Sequence, residues 1–358
     1  MAQCTCTTHL RLGGIVSEDI RELVKVVQID SLHEIVGADK IEAARVGGWT
    51  VVVQKGLYKP GDKALYFEID SCLPLSDSRF EHLRERGVKV SDGKEYHRLK
   101  TIKLRGVVSQ GMLMPVGEFR DEVYAGALSE TDTLTTRLGI VKYDDIDPVA
   151  TRGAGAVGSF PTHVVRKTDS ERIQNLFHNW DEIKRYEWLP TEKIDGCSLT
   201  IARLDGELKV CSRNWEVRKD SGVFGAMYQK YIGIWEELPE GMAIQAEIAG
   251  PGIQGNRLGL TEQRIFIFNV TDYGAVVPRQ FWLKEWRELA VPSYVEYDLP
   301  DTPEEAIEQA DGIKSLVSKD RLAEGIVWVN TDGFPLMCLG DRPQFKVIST
   351  KYLLKEKD

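Results

Sequence analysis

A Gly- and Ala-rich stretch that ends in Pro, ATRGAGAVGSFP at residues 150–161, divides the chain into two dissimilar halves. It has no apolar period, so no regular element is expected to run through it. Ahead of it the pattern is one of short strands: Leu23 to Ile29, Trp49 to Val53, Lys63 to Ile69, Leu99 to Leu104 and Gly111 to Pro115. Turn signals such as Lys59-Pro60-Gly61-Asp62 separate them. About five short strands in one unit fit a small β-barrel. A length of 358 residues agrees with two domains of roughly 150 residues each. The expected units are 1–160 and 161–358.

The second half mixes helices and strands. Thr168 to Trp188 reads as a helix, with Ile173, Leu176, Phe177 and Trp180 recurring at helical spacing after a polar Thr-Asp-Ser opening. Thr302-Pro303-Glu304-Glu305 is a capping box with Pro at the first helical position. Ala243 to Ile248, Arg264 to Val270, Gly325 to Asn330 and Phe345 to Ile348 read as strands. This order predicts an α+β fold rather than a βαβ repeat. No G-x-G-x-x-G follows a strand and no G-x-x-x-x-G-K-[ST] occurs, which disfavours Rossmann and P-loop folds.

Composition narrows the class. Hydrophobic residues at 42% supply real cores, and no apolar run reaches the length of a membrane span. MAQCTCTTHLRLGG at the N-terminus lacks the apolar region of a secretory signal, so a cytoplasmic location is expected. Cys4 and Cys6 have no second pair downstream and the histidines form no H-E-x-x-H, so a zinc enzyme is not expected. The net charge of -9 argues against a generic nucleic-acid coat protein. Locally the sign reverses: Arg84 to Gly106 holds eight Lys/Arg against three Asp/Glu. Such a segment is either a solvated hairpin or a surface that tracks phosphates.

Six short blocks downstream carry chemistry in a fixed order. They are Glu192-Lys193-Ile194-Asp195-Gly196, Ser212-Arg213-Asn214, Glu247-Ile248-Ala249-Gly250, Phe268-Asn269-Val270, Glu324-Gly325-Ile326-Val327 and Phe345-Lys346-Val347-Ile348-Ser349. Singly each is weak. As a series they resemble the covalent nucleotidyltransferase superfamily of ATP-dependent DNA ligases, RNA ligases and mRNA capping enzymes, over about residues 161 to 355. The G-I-Q-G-N segment after Glu247 and the stretch Arg166 to Asn175 are closest to RNA ligases. The strand-rich unit precedes the motifs, an order similar to the fifth RNA ligase family with its N-terminal OB module. Arg105 to Leu113 also resembles OB-type tRNA-binding modules. One departure is that Lys346 is followed by Val347 and Ile348, where many ligases have K-x-K; Lys351 is the nearest replacement.

The resemblance implies an N-terminal OB-type barrel followed by an adenylyltransferase domain of antiparallel sheets and helices. It implies an enzyme that uses ATP with Mg2+ or Mn2+ and passes AMP from a lysine to a 5′-phosphate before a 3′-hydroxyl closes the bond. Lys193 is then the nucleophile. Glu192, Arg213, Glu247, Phe268, Lys346 and Arg172 are expected around ATP, with Phe268 on the adenine and Lys346 on the α-phosphate. Asp195, Glu247 and Glu324 are expected to hold the metal, directly or through water. Arg98, Lys100, Lys103 and Arg105 are expected to hold RNA, as a nicked duplex, as free ends or as an RNA/DNA hybrid. The competing expectations are a DNA-nick ligase and a non-catalytic RNA-binding protein.

Overall fold

The computed structural model describes residues 22–126, 132–143, 155–167 and 169–355. Cys4, Cys6, residues 150–154 of the dividing stretch and Thr168 lie outside the described residues.

The first half is organised around the strand Lys63–Phe67. It pairs antiparallel with Val24–Gln28 on one side and with Met112–Pro115 on the other. Successive side chains on a strand point to opposite faces, and here both faces are buried. Ala64 and Tyr66 enter a core with Trp49, Val51 and Val53, while Leu65 and Phe67 enter a second with Phe80 and Phe119. All five strands read from the sequence are present. Further ones, Ser31–Glu34, Ile41–Val46, Ser71–Pro74 and Lys94–Arg98, lack the β-branched runs that flag a strand.

The second half holds two sheets that meet at the nucleotidyltransferase-like motifs. One runs Ala156–Ser159, Trp215–Val217, Glu207–Cys211, Cys197–Leu204, Met242–Ala249, Arg264–Asp272 and Ala275–Val276. The other runs Glu171–Arg172, Gln344–Ile348, Gly325–Asn330 and Trp188–Lys193. The capping box is present: Thr302 and Glu305 exchange hydrogen bonds at the start of the helix Pro303–Ala310.

Two expectations are corrected. The dividing stretch is not wholly irregular, because Ala156–Ser159 joins the larger sheet as an edge strand beside Trp215–Val217. Thr168 to Trp188 is not one helix. Glu171–Arg172 pairs parallel with Gln344–Ile348, then come two tight turns and the short helix Trp180–Ile183. Ile173, Leu176, Trp180 and Ile183 still reach a single core. The apolar spacing was met by consecutive turns, which bury the same residues without a continuous helix.

The two halves touch through polar contacts. The Trp49 indole donates to Asn175 Oδ1 at 2.7 Å. Arg172 reaches across to Asp70 at 2.9 Å and Glu68 at 3.6 Å. Lys142 pairs with Asp169 at 2.7 Å. Among the described residues no helix is long and apolar enough to cross a membrane.

Candidate active site

Lys193 ends the strand Trp188–Lys193, which pairs antiparallel with Gly325–Asn330 in the register Lys193 to Gly325. That register brings Glu324, one residue earlier, against the lysine, and its carboxylate lies 2.7 Å from Nζ. Gly325 is required because a Cβ there would sit 2.0 Å from the Val347 carbonyl oxygen. Gly196 is required for the same reason: a Cβ would lie 2.2 Å from the Ile248 carbonyl oxygen and 2.8 Å from Glu247 Cγ. The Gly of K-x-D-G and the Gly of E-G-I-V therefore let three acidic strand ends close on one amine.

These residues line a pocket of about 290 Å³, together with Arg213, Phe268 and Lys346. Phe268 is the extra residue of a β-bulge, since Gln245 pairs with Asn269 and Ala246 with Ile267. The bulge leaves it half-buried at the pocket wall while Phe266 stays in the core. Lys346 is buried on the strand Gln344–Ile348, and its ammonium lies 2.9 Å from Asp169.

The electrostatics are unusual. Burial alone would lower the Lys193 ammonium, but Glu324, Glu247 and Asp195 outweigh it and hold it above the ordinary lysine value. Burial, together with the Glu324 charge, pushes Asp195 up to about 6 despite a hydrogen bond from the Tyr352 hydroxyl. Glu247 rises to about 8, chiefly by burial, with the nearby Lys193 opposing and Glu324 and Asp195 adding to the rise. Asp195 and Glu247 therefore hold protons more readily than free carboxylates do.

Among the described residues no three His, Cys, Asp or Glu converge as a ready-made direct coordination shell. The surplus of carboxylate over ammonium nonetheless suits a divalent cation held partly through water, which would replace those protons.

Not every expected residue reaches the pocket. Arg172 is buried between Asp70 and Glu68 and faces the first half of the chain. Arg98 pairs with Asp70 at 2.7 Å and stacks over the Tyr143 ring at 3.7 Å. Both side chains pair at the junction between the halves, and neither lines the pocket. Lys100 is half-buried, whereas Lys103 and Arg105 are exposed on the hairpin Thr101–Leu104 and Val107–Gln110. Glu192 lines the pocket, but its carboxylate accepts from Ser315 Oγ and the Leu316 and Val317 amides. It fixes the wall beside Lys193. Lys351 lies away from Lys346, in a pair with Asp311 at 3.5 Å.

Sequence reasoning missed Asp169, Tyr352 and Arg257. Asp169 gathers Lys346 at 2.9 Å, Lys142 at 2.7 Å and Arg213 at 3.3 Å, three cations from three separate segments. Arg257 stacks over Tyr352 at 4.5 Å and approaches Asp195 at 3.9 Å. Asp169 lies within the stretch Arg166 to Asn175 already singled out; Tyr352 and Arg257 carry no local pattern that marks them.

Comparison with known proteins agrees with this geometry. A family model described as RNA ligase matches residues 186–348, and one described as an OB-fold domain matches residues 23–116. The structure of Naegleria gruberi RNA ligase with PPi is 33% identical, with a TM-score of 0.80 over 95% of this chain and 100% of that one. The chain belongs to the RNA ligase family. A mutant of the same Naegleria ligase, solved with ATP and Mn, matches at 32% identity and a TM-score of 0.79, over 94% of this chain and 99% of that one. A further mutant, solved with AMP and Mn, gives the same identity, TM-score and coverage. No curated protein matches the chain. The architecture is thus an OB-fold domain followed by an RNA ligase nucleotidyltransferase domain.

The acidic cluster has a consequence for this ligase free of metal. Asp195 and Glu247 have ordinary values of 3.8 and 4.5 and are raised to about 6 and about 8 in the fold. Between those limits the folded state binds more protons than the unfolded chain, so stability falls as pH rises. Thermal unfolding in chelator is expected to show a midpoint that drops from pH 5 to pH 8, in step with the raised values. Mn2+ or Mg2+ should flatten the drop. A midpoint insensitive to pH in chelator would contradict the buried carboxylates.

Proposed function

We propose that this RNA ligase joins 3′-hydroxyl and 5′-phosphate ends with ATP through a lysyl-AMP intermediate, and that nicked duplex RNA in repair is its substrate. The observation that carries the reading is the convergence of Lys193, three carboxylates, Lys346 and Arg213 on one pocket.

Lys193 gives up a proton to solvent, and its Nζ lone pair forms a bond to the α-phosphorus of ATP. The bond from that phosphorus to the bridging oxygen breaks, and pyrophosphate leaves. An oxygen of the RNA 5′-phosphate then attacks the same phosphorus, the P–N bond breaks, and Lys193 is restored. Finally the 3′-oxygen attacks the 5′-phosphate, AMP departs and a phosphodiester remains. Glu324 holds Lys193 in line in the resting state. Phe268 supports the adenine face, and the cations of Lys346 and Arg213, now gathered by Asp169, suit the phosphates. A divalent ion held by Asp195, Glu247 and Glu324 would neutralise transition-state charge.

The division at about residue 160 belongs to the same reading, with the first unit holding RNA and the second carrying the chemistry. Lys103 and Arg105, exposed on their hairpin, supply its backbone contacts. A cytoplasmic location agrees with Cys197, Cys211 and Cys338 being free thiols. Incubation with ATP labelled at the α-phosphate tests the mechanism. The protein is expected to become covalently labelled, and nicked RNA should discharge the label into a joined strand. Joining with no labelled protein at any stage would rule out the lysine adduct.

A further inference from the structure

The chain has eight tryptophans, and Trp215 is the exposed one, at 46%; Trp188 is partly covered and the others are buried. Trp215 lines the mouth of the catalytic pocket. It closes the tight turn Ser212–Trp215, in which the Ser212 amide donates to the Trp215 carbonyl at 2.8 Å. The same turn carries Arg213 and Asn214. Those two line both the pocket and an adjoining cleft of about 710 Å³ between the two halves, where six Lys/Arg, Lys25, Lys94 and Lys167 among them, outnumber the four carboxylates of Glu22, Asp92, Asp169 and Glu171. Trp215 therefore stands where a polyanion following the cleft would enter the pocket. Among the described residues no aromatic ring or cation stacks on its indole.

The adenine of ATP is not the natural partner. Trp215 and Phe268 line the same pocket but lie on strands of one sheet separated by three others, about 19 Å measured along the sheet at the usual spacing between strands. Rings carried on strands so far apart in the sheet offer two aromatic stations, one at each side of the pocket. We propose that Trp215 is a stacking platform for the base of the RNA nucleotide that carries the 5′-phosphate, with Arg213 beside it on the phosphate. This inference rests on the RNA-joining reading and deepens it. An indole left in water gains by covering a base, and the stack tolerates any base because each has an apolar face.

The test measures binding of 5′-phosphorylated RNA to the full chain, so it does not depend on whether Lys193 is adenylylated. Labelling by ATP, followed in parallel, reports on that reading separately. Trp215→Ala is expected to weaken RNA binding by about tenfold or more, and Trp215→Phe to keep most of the affinity. Self-adenylylation, followed in parallel, should fall far less than RNA binding does in the alanine variant. RNA with an abasic residue at the 5′-phosphate nucleotide should bind wild type about tenfold more weakly, with no further loss in the alanine variant. That coupling is not expected of a residue that only shapes the turn. Should the alanine variant fail to fold, Trp215→Leu keeps apolar bulk without a flat face and should show the same coupling. An abasic penalty undiminished in the alanine or leucine variant would overturn the proposal. So would a raised KM for ATP with RNA binding intact, which would place Trp215 in the nucleotide pocket.

Discussion

Lys193→Ala is expected to remove covalent labelling by ATP and all sealing of nicked RNA, a loss beyond about a thousandfold. Among the described residues the pocket's other lysine, Lys346, is paired with Asp169. Lys193→Arg should fail equally, because guanidinium stays protonated and has no lone pair to offer. The fold should survive. Removing the ammonium leaves Glu324, Glu247 and Asp195 without their counter-charge, but Asp195 and Glu247 are raised to about 6 and about 8 and take up protons instead. The unfolding midpoint compared at pH 6 should therefore stay near wild type, while at higher pH the variant should lose stability faster. A variant that still forms a lysine adduct with AMP would take Lys193 out of this role.

Much of this site was legible because its chemistry is written in short strand ends. Lys193, Asp195, Glu247 and Glu324 meet because two glycines beside them permit close strand contact, and K-x-D-G and E-G-I-V display both glycines. The capping box at Thr302 was equally plain, since its two hydrogen bonds are made between residues three apart. What the sequence hides is partnership at long range. Arg172 is expected near a phosphate, and nothing local in the sequence marks its ion pairs with Asp70 and Glu68, about a hundred residues away in the other half. Arg98 is diverted by the same Asp70. Phe266 and Phe268 are two apart and by alternation would share a face; the bulge at Phe268 that sets their different exposure has no signature in F-I-F-N-V. Residues 169–188 depart from the expected helix for a related reason. Periodicity reports which residues go inward, and consecutive turns satisfied it as well as a helix would.

Glu324→Ala brings opposing effects into one residue, which makes its expected outcome informative. Glu324 is the closest anion to Lys193, at 2.7 Å, and is one of the three charges that hold the ammonium protonated. Without it, more of the lysine is free amine at neutral pH. If amine basicity limited the rate, the variant would be faster than wild type in mildly acidic solution. Glu324 is also one of three carboxylates facing the lysine, the group that would hold a divalent ion, and Glu247 and Asp195 alone present less charge. We expect that second loss to dominate. Adenylylation should fall by roughly a hundredfold at a fixed, limiting metal concentration and recover in part as Mn2+ is raised. The pH optimum of what remains should move to lower values, in the direction of a less basic Lys193. Glu247→Ala should need more metal in the same way. Both effects are read from one titration of rate against Mn2+ at several pH values. Wild-type rates across the whole titration would show that the acidic cluster neither holds the metal nor restrains the lysine.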